Sequence, residues 1–530
     1  MGCMTHSDNY QRQIGDADRP DTVVRSAIMT TTRRRTFLSM PTGWRLAQYA
    51  ALAACAYPAT VLAQVAPSVV APPVITPPAP MVQAVTPLPV VLPQLSAAQA
   101  TRLASLIAKD AVAQGLVDVA PMAELDNDRL VRAALDHAHA VHAGRLAEAD
   151  FQRDWAMRPV AYDPLPAFRD AVERDRLSAW VASLPPPYAG YDTLVTGLAR
   201  YRSIAAEGGW APIAADPGLV FGASGSRVTA LRKRIAIEDP QLTVTGDRFD
   251  TALLEAVRRA QRRYGLNPTG TVGALTIAAL NTPVEARIRQ IKANMERWRW
   301  LPTELERNRV QVNIAAAVLT LFDGDSPIMS MKAVTGRPGD ETPMLVSQIH
   351  SIVLNPPWNV PSSIATRELW PKEKANPGYL ARNGFRVIDN GDGSRRLQQS
   401  SERSALGRFK FDFANPFAVY LHDTPAQAGF ARFDRLASHG CVRLEKPAEL
   451  AHQLMSTTPA WPAESIDATV AAGKTVRAQL AAPVAVYLLY WTAFANAGGQ
   501  VSFRDDPYRW DGTLASKIEA RSAHEALAAR

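Results

Sequence analysis

Cysteine is scarce in this chain: Cys3, Cys55 and Cys441 are the only three among 530 residues. That excludes a disulfide framework. No apolar run in the body of the chain is long and pure enough to span a bilayer, which excludes a membrane span there. Charged residues make up 20% and hydrophobic ones 47%, a balance that excludes a disordered chain. The charge excess is only +8; it fits polyanionic surroundings and equally an ordinary soluble protein. The length predicts about three domains.

The N-terminal region has the layout of an export signal. Arg33-Arg34-Arg35 precedes an apolar stretch from Leu46 to Leu62, and Val61-Leu62-Ala63 offers small residues for cleavage. Residues 1–63 are therefore assigned to the signal, with Met29 as an alternative start, and the protein is expected in the periplasm. Arg34-Arg35-Thr36-Phe37-Leu38 resembles a twin-arginine signal, although a general secretory segment is also basic. A rival reading takes Leu52-Ala53-Ala54-Cys55 as a lipoprotein box that leaves Cys55 lipidated. A membrane tether is expected only through such a signal or lipid. Cleavage after Ala63 leaves Cys441 as the single thiol. An unpaired thiol in an exported protein invites a chemical explanation, the alternative being a small buried core residue.

Residues 64–94 are rich in Pro, Ala and Val and read as an extended linker. Residues 95–215 read as a helical scaffold, beginning with a Ser96–Gln99 capping box. His137, His139 and His142 diverge around a helix, so no shared metal is expected. Residues 216–283 predict three short helices, with Asp250 as a cap. The run Gly246-Asp247-Arg248-Phe249-Asp250, with Gly265-Leu266, Gly270 and Leu280-Asn281, resembles the small peptidoglycan-binding domain. A linking helix is predicted within 284–306, its apolar face formed by Ile288, Ile291, Met295 and Trp298 and its polar face by Arg287, Lys292 and Arg299. From 307 the period changes to two, and Asp323-Gly324-Asp325 predicts a hairpin turn. A β-rich domain is expected over 307–480, interrupted by a lid of helical and loop segments at 358–405. Residues 481–530 are expected to pack on it as a C-terminal extension. The fold class is α+β, multidomain.

The chemistry concentrates near residues 417–443. Alternation from Phe417 to His422 predicts a strand with Tyr420 and His422 on one face. Fifteen residues separate His422 from Ser438-His439-Gly440-Cys441-Val442-Arg443. A thiol becomes nucleophilic as thiolate, and a nearby imidazole can take its proton as a thiolate–imidazolium pair. Gly440 permits close approach of a substrate backbone and frees amides to face an oxyanion. His439 adjoins Cys441 only in sequence, so His422 is the better candidate for the base.

This pattern closely resembles the signature of the L,D-transpeptidases with a YkuD-type catalytic domain. Leu406-Gly407-Arg408-Phe409-Lys410-Phe411, Tyr420-Leu421-His422-Asp423-Thr424-Pro425, Gly208-Gly209-Trp210 and the stretch from Tyr487 to Ala493 resemble the large multidomain Gram-negative subgroup. The resemblance implies attack by Cys441 on a peptidoglycan stem tetrapeptide, expulsion of the terminal D-Ala, and transfer of the thioester to a second stem as a 3→3 crosslink. His422 would be the base. Tyr420, Ser438, His439, Gly440 and Arg443 would serve the oxyanion or the substrate. Partners would be stem peptides and glycan, with carbapenem-type β-lactams as covalent inhibitors; no nucleic acid, metal or cofactor is implied. Two readings stay open beside it: an L,D-carboxypeptidase or protein-to-wall transferase, and a non-catalytic wall-binding scaffold.

Overall fold

The computed structural model describes residues 91–116, 125–214, 218–496 and 498–528. The export signal and nearly all of the Pro-rich linker lie outside them. The architecture is α+β and multidomain, with helices first and a β-rich domain after them. Among the described residues no helix is long and apolar enough to cross a membrane.

Helices α1 (Ala97–Ala113), α2 (Asn127–His142), α3 (Leu165–Glu173) and α4 (Leu177–Ala182) bury Leu103, Ile107, Val131, Phe168, Leu177 and Trp180 in a core of their own. The Ser96–Gln99 capping box starts α1. Two histidines of α2 have separate partners: His137 pairs with Asp110 at 2.8 Å, and His142 stacks on Tyr162. Helix α5 (Ala189–Ala206) departs from this bundle. Its Tyr191, Leu194, Leu198 and Tyr201 join the large core formed by everything downstream.

Next come three short helices: α6 (Ser226–Glu238), α7 (Thr251–Arg263, capped by Asp250) and α8 (Ala274–Leu280). Their common core holds a buried carboxylate, Glu238. Burial alone would raise its pKa, but Arg234, Arg263 and the hydroxyls of Tyr201 and Tyr264 hold it at about 2.

The linking helix α9 (Val284–Trp298) differs from the amphipathic helix the sequence predicts. Arg287, Glu296, Arg297 and Arg299 on its polar side are all buried. The reason is that both sides have partners. Arg299 donates to Glu296 (3.0 Å), to the Gln114 carbonyl (2.7 Å) and to Tyr191, while the Glu296 carboxylate also accepts the Arg145 amide. Arg297 pairs with Asp511, and Asn294 exchanges hydrogen bonds with Thr492. A buried pair like Glu296–Arg299 adds little net stability, yet removing one partner strands the other charge. Glu296→Ala is therefore expected to cost about 3–5 kcal/mol, read as a lowered denaturant midpoint. A shift below about 1 kcal/mol would mean that Arg299 is satisfied without it.

The β-domain is built on nine strands: β1 (Asn308–Asn313), β2 (Val318–Asp323), β3 (Ser326–Gly336), β4 (Leu345–Leu354), β8 (Phe409–Phe413), β9 (Leu421–His422), β10 (Leu436–Ser438), β11 (Val442–Leu444) and β12 (Val476–Leu489). They form one sheet in the order β10-β3-β11-β9-β8-β4-β12-β1-β2. The ladder closes on itself: the first part of β3 pairs with β2, and its end pairs with β11 and β10. Strand β12 corrects the expected boundary at 480. It runs through that position between β4 and β1, so the sheet is incomplete without it. Its register shifts between Gln479 and Val484, where Pro483 has no N–H for the ladder. Beyond β12, the hairpin of β13 (Ala493–Ala495) and β14 (Val501–Phe503) and the helix α10 (Trp510–Ala528) pack on the helical side, against α5 and α9.

The insertion at 358–405 also differs from its predicted helix-and-loop character. It carries a separate three-stranded sheet, β5 (Trp358–Asn359), β6 (Phe385–Asp389) and β7 (Arg395–Gln399), in the order β5-β7-β6. Val360, Ile364, Leu369, Leu380, Phe385 and Leu397 form its own small core. Asn390-Gly391 lies in the β6–β7 turn.

Candidate active site

The segment before His422 is not the predicted strand. Only Leu421 and His422 pair, and residues 414–420 form a loop. Asn415 ties that loop: its Oδ1 accepts the amides of Phe417 and Val419, and its Nδ2 donates to the Phe413 and Val419 carbonyls. Ala418 takes φ +55°. The loop nevertheless delivers the Tyr420 ring edge-on to the His422 ring, 5.6 Å between centroids.

His422 sits between β8 and β11, opposite Lys410 on one side and Arg443 on the other. Strands β9 and β11 run parallel and in register, Leu421 beside Val442 and His422 beside Arg443. Side chains alternate along a strand. Cys441, directly before β11, therefore lies on the face of Arg443 and His422, and Tyr420 reaches it from the loop, hydrogen-bonded to the thiol. The Val442 amide donates to the Tyr420 carbonyl at 3.0 Å, which locks this register at the thiol.

The imidazole is oriented from behind. His422 Nδ1–H donates to the Asp423 carbonyl, 2.5 Å away. That leaves the Nε2 lone pair as the proton acceptor. The Asp423 carboxylate accepts the amides of Arg408 (2.7 Å) and Thr424 (2.6 Å), pulling the Leu406-Gly407-Arg408 turn against it. Gly407 has φ +63°, and a Cβ there would stand 2.2 Å from Asp423 Oδ2, so only glycine fits. Burial pushes the His422 pKa down, the charges of Arg443 and Lys410 add to this, and it falls to about 3. The imidazole is neutral at rest.

Cys441 is half-buried and unpaired. Burial pushes its thiol up, against the opposing pull of the Tyr420 amide and hydroxyl, Lys410 and Arg443. The thiol and the imidazole are thus both uncharged at rest, where the sequence allowed an ion pair. Lys410 and Arg443 favour negative charge on sulfur or on an oxyanion and disfavour an imidazolium.

The side chains of Ser438 and His439 are both engaged within the protein. Ser438 is buried; its hydroxyl donates to the Cys441 carbonyl (2.5 Å) and accepts the Gly440 amide (3.2 Å). It braces the cysteine loop. Thr342 holds the same loop, donating to the Gly440 carbonyl at 2.7 Å. His439 turns away to the lid, its Nε2 lying 2.6 Å from Glu368 Oε1. Gly440 has φ +106°. Its own amide is engaged by Ser438, whereas the amides of His439 and Cys441 have no hydrogen-bond partner among the described residues. These, with the Tyr420 hydroxyl, are the candidate oxyanion donors. Arg443 is partly buried and forms no ion pair with any described residue; burial pulls its pKa down.

Three residues near the site escaped the sequence reading. Lys410 lies 4.4 Å over the Tyr420 ring and pairs with Asp412 at 2.7 Å. Its alternation with Phe409 and Phe411 was the available signal. Trp358 and Glu368 come from the insertion, and only the fold brings them here. Among the described residues no cluster of three or more His, Cys, Asp or Glu forms a metal site.

Comparison with known proteins matches three segments to family profiles: the YkuD L,D-transpeptidase catalytic domain at 307–463, a peptidoglycan-binding domain at 224–280 and a scaffold domain at 92–198. A Haemophilus influenzae protein named "Putative L,D-transpeptidase" is 31% identical over 241 residues, 42% of this chain. The chain spans about half of that relative's length, 49%. Solved structures with some likeness include an L,D-transpeptidase from Stackebrandtia nassauensis (13% identity, 53% of this chain and 97% of that one, TM-score 0.22). Another is L,D-transpeptidase 3 from Mycobacterium tuberculosis with a faropenem-derived adduct (16% identity, 34% and 60%, TM-score 0.18). Likeness at those scores carries no argument about chemistry. The catalytic profile covers His422, Cys441 and every strand of the sheet except β12, so residues 307–463 carry an L,D-transpeptidase catalytic domain of the YkuD type.

Proposed function

We propose that the protein is a peptidoglycan L,D-transpeptidase that forms 3→3 crosslinks through a thioester on Cys441. The observation that supports this most is the parallel β9–β11 register, which sets the free thiol of Cys441 next to the strand that carries the neutral, oriented imidazole of His422. Cys441 attacks the carbonyl of the third, L-configured stem residue while His422 Nε2 takes the thiol proton. The oxyanion is received by the Cys441 and His439 amides and Tyr420. The imidazolium returns its proton to the leaving D-Ala amine, and the thioester remains. An amine from a second stem then displaces the sulfur. One amide is exchanged for another, so no nucleotide is consumed. Arg443 supplies a guanidinium for a stem-peptide carboxylate. The segment at 224–280 holds the wall polymer. The basic, apolar and small-residue order of residues 33–63 supports action in the periplasm. Carbapenem-type β-lactams are expected to acylate the same sulfur.

The product decides the acceptor. Mass spectrometry of muropeptides after incubation with the mature protein is expected to show 3→3 linked dimers with release of D-Ala. Tripeptides without dimers would replace the stem amine by water and make the enzyme an L,D-carboxypeptidase. Unchanged tetrapeptides would overturn the proposal.

A further inference from the structure

The insertion at 358–405 touches the cysteine loop through charges. Its residues Ala365–Leu369 form a π-helical turn, a rare element that recurs at functional sites. Two side chains of that turn reach the catalytic domain. Arg367 pairs with Asp340 at 2.8 Å, and Glu368 pairs with His439 at 2.6 Å. Arg337 links the two acids, 2.8 Å from Asp340 and 3.6 Å from Glu368, and Lys372 stands 3.9 Å from Glu368. The insertion keeps its own apolar core, separate from that of the sheet. The seam at this point is therefore an ion-pair network, which can part and rejoin without exposing either core.

The cysteine loop is held unevenly. Ser438 and Thr342 fix Gly440 and the Cys441 carbonyl from the catalytic domain. The His439 ring has its hydrogen bond to Glu368, across the seam. His439 directly precedes Gly440, and its backbone amide is one of the two unbonded donors beside the thiol. Resting on the acyl-transfer reading above, we propose that Glu368 is a positioning residue: by holding His439 it couples docking of the lid to the oxyanion-binding geometry of the 439–441 loop. The lid then covers the substrate and completes the loop in one movement. Both partners are partly exposed, so the pair itself contributes little stability, about 0–1 kcal/mol. Its effect belongs to rate.

The test uses the full chain. Glu368→Ala is expected to lower both the maximal rate of Cys441 acylation by a carbapenem and kcat on a stem tetrapeptide by about 10- to 100-fold, the range for slight misplacement of a reacting group. KM and melting temperature should barely move. Glu368→Gln, which keeps an acceptor for His439, should recover most of the rate. In a His439→Ala background, Glu368→Ala should have no further effect. Wild-type rates in Glu368→Ala, independent multiplicative losses in the double variant, or a loss matched by a fall in melting temperature would each overturn the coupling alone. A wild-type protein that never acquires the adduct would overturn the acyl-transfer reading, and the coupling with it.

Discussion

Cys441→Ala is expected to abolish acylation by a carbapenem, and Cys441→Ser to come close to it. In the wild-type chain, intact-mass analysis should find one adduct, and peptide mapping should place it on Cys441. The expected loss in turnover is on the order of 10⁶-fold, the scale seen when the nucleophile of an acyl-transfer enzyme is removed. Serine is a sharp control because it keeps the size and the backbone. His422 Nε2, the unbonded amides and the field of Lys410 and Arg443 all remain in that variant. What changes is the attacking atom: sulfur is intrinsically the stronger nucleophile, and a hydroxyl holds its proton more tightly. An adduct that forms on Cys441→Ser at the wild-type rate would place the reaction elsewhere and end the assignment. The face shared by Cys441, Arg443 and His422 is kept by the parallel β9–β11 register, so neither substitution should disturb folding.

Much of the fold was legible because local chemistry and tertiary structure agree. Ser96 and Asp250 cap helices as their side chains dictate, and the Asp323-Gly324-Asp325 turn joins two strands of alternating pattern. The failures share one cause, which is burial by partners distant in sequence. The arginines of α9 read as a solvated stripe, yet Glu296, Gln114, Tyr191 and Asp511 accept them inside the protein. The catalytic domain was expected to end at 480, yet β12 runs through that position, paired with β4 on one side and β1 on the other. The three-helix unit looked separable in sequence. Its Leu231, Phe249 and Leu280 share one core with α5, α9 and the sheet, and Glu238 is held by Tyr201 of α5.

At the candidate site, the residues singled out in the sequence are brought near one another by the fold, but how each side chain is engaged was not legible. His422 and Cys441 stand out because few chemistries need that pair beside Gly440. Alternation suggested Tyr420 beside His422, and the two rings are neighbours, but through a loop knotted by Asn415 and not a strand. A motif cannot say where a side chain points. Ser438 turns inward to brace the loop and His439 turns outward to Glu368, 71 positions away in the chain. Protonation was equally hidden. A histidine next to a cysteine suggests an ion pair, and only burial together with Arg443 and Lys410 reverses that expectation.

That neutral imidazole gives His422 a pH signature of its own. His422→Ala and His422→Gln are both expected to slow acylation by about 10²–10⁴-fold, the worth of a general base. Glutamine can still donate to the Asp423 carbonyl, so it separates loss of the base from loss of the hydrogen bond. In the wild type, burial and the neighbouring cations hold the pKa at about 3. An ordinary histidine, near ~6.5, would surrender its lone pair to a proton below that pH. Here Nε2 stays free, so the acylation rate should remain flat from pH 8 to pH 5. The same shift sets the sign for stability. The unfolded chain protonates this histidine below about 6.5, while the folded chain resists until about pH 3. Its contribution is therefore intact above the unfolded value and declines as the pH falls through that window. His422→Gln removes the contribution, so its melting temperature should fall less between pH 7 and pH 4 than that of the wild type. A wild-type rate that drops with a midpoint near 6.5 would show an ordinary, solvated imidazole and contradict the buried neutral base. Wild-type acylation in His422→Gln, or a larger loss in His439→Ala than in His422→Ala, would give the proton-accepting role to another residue.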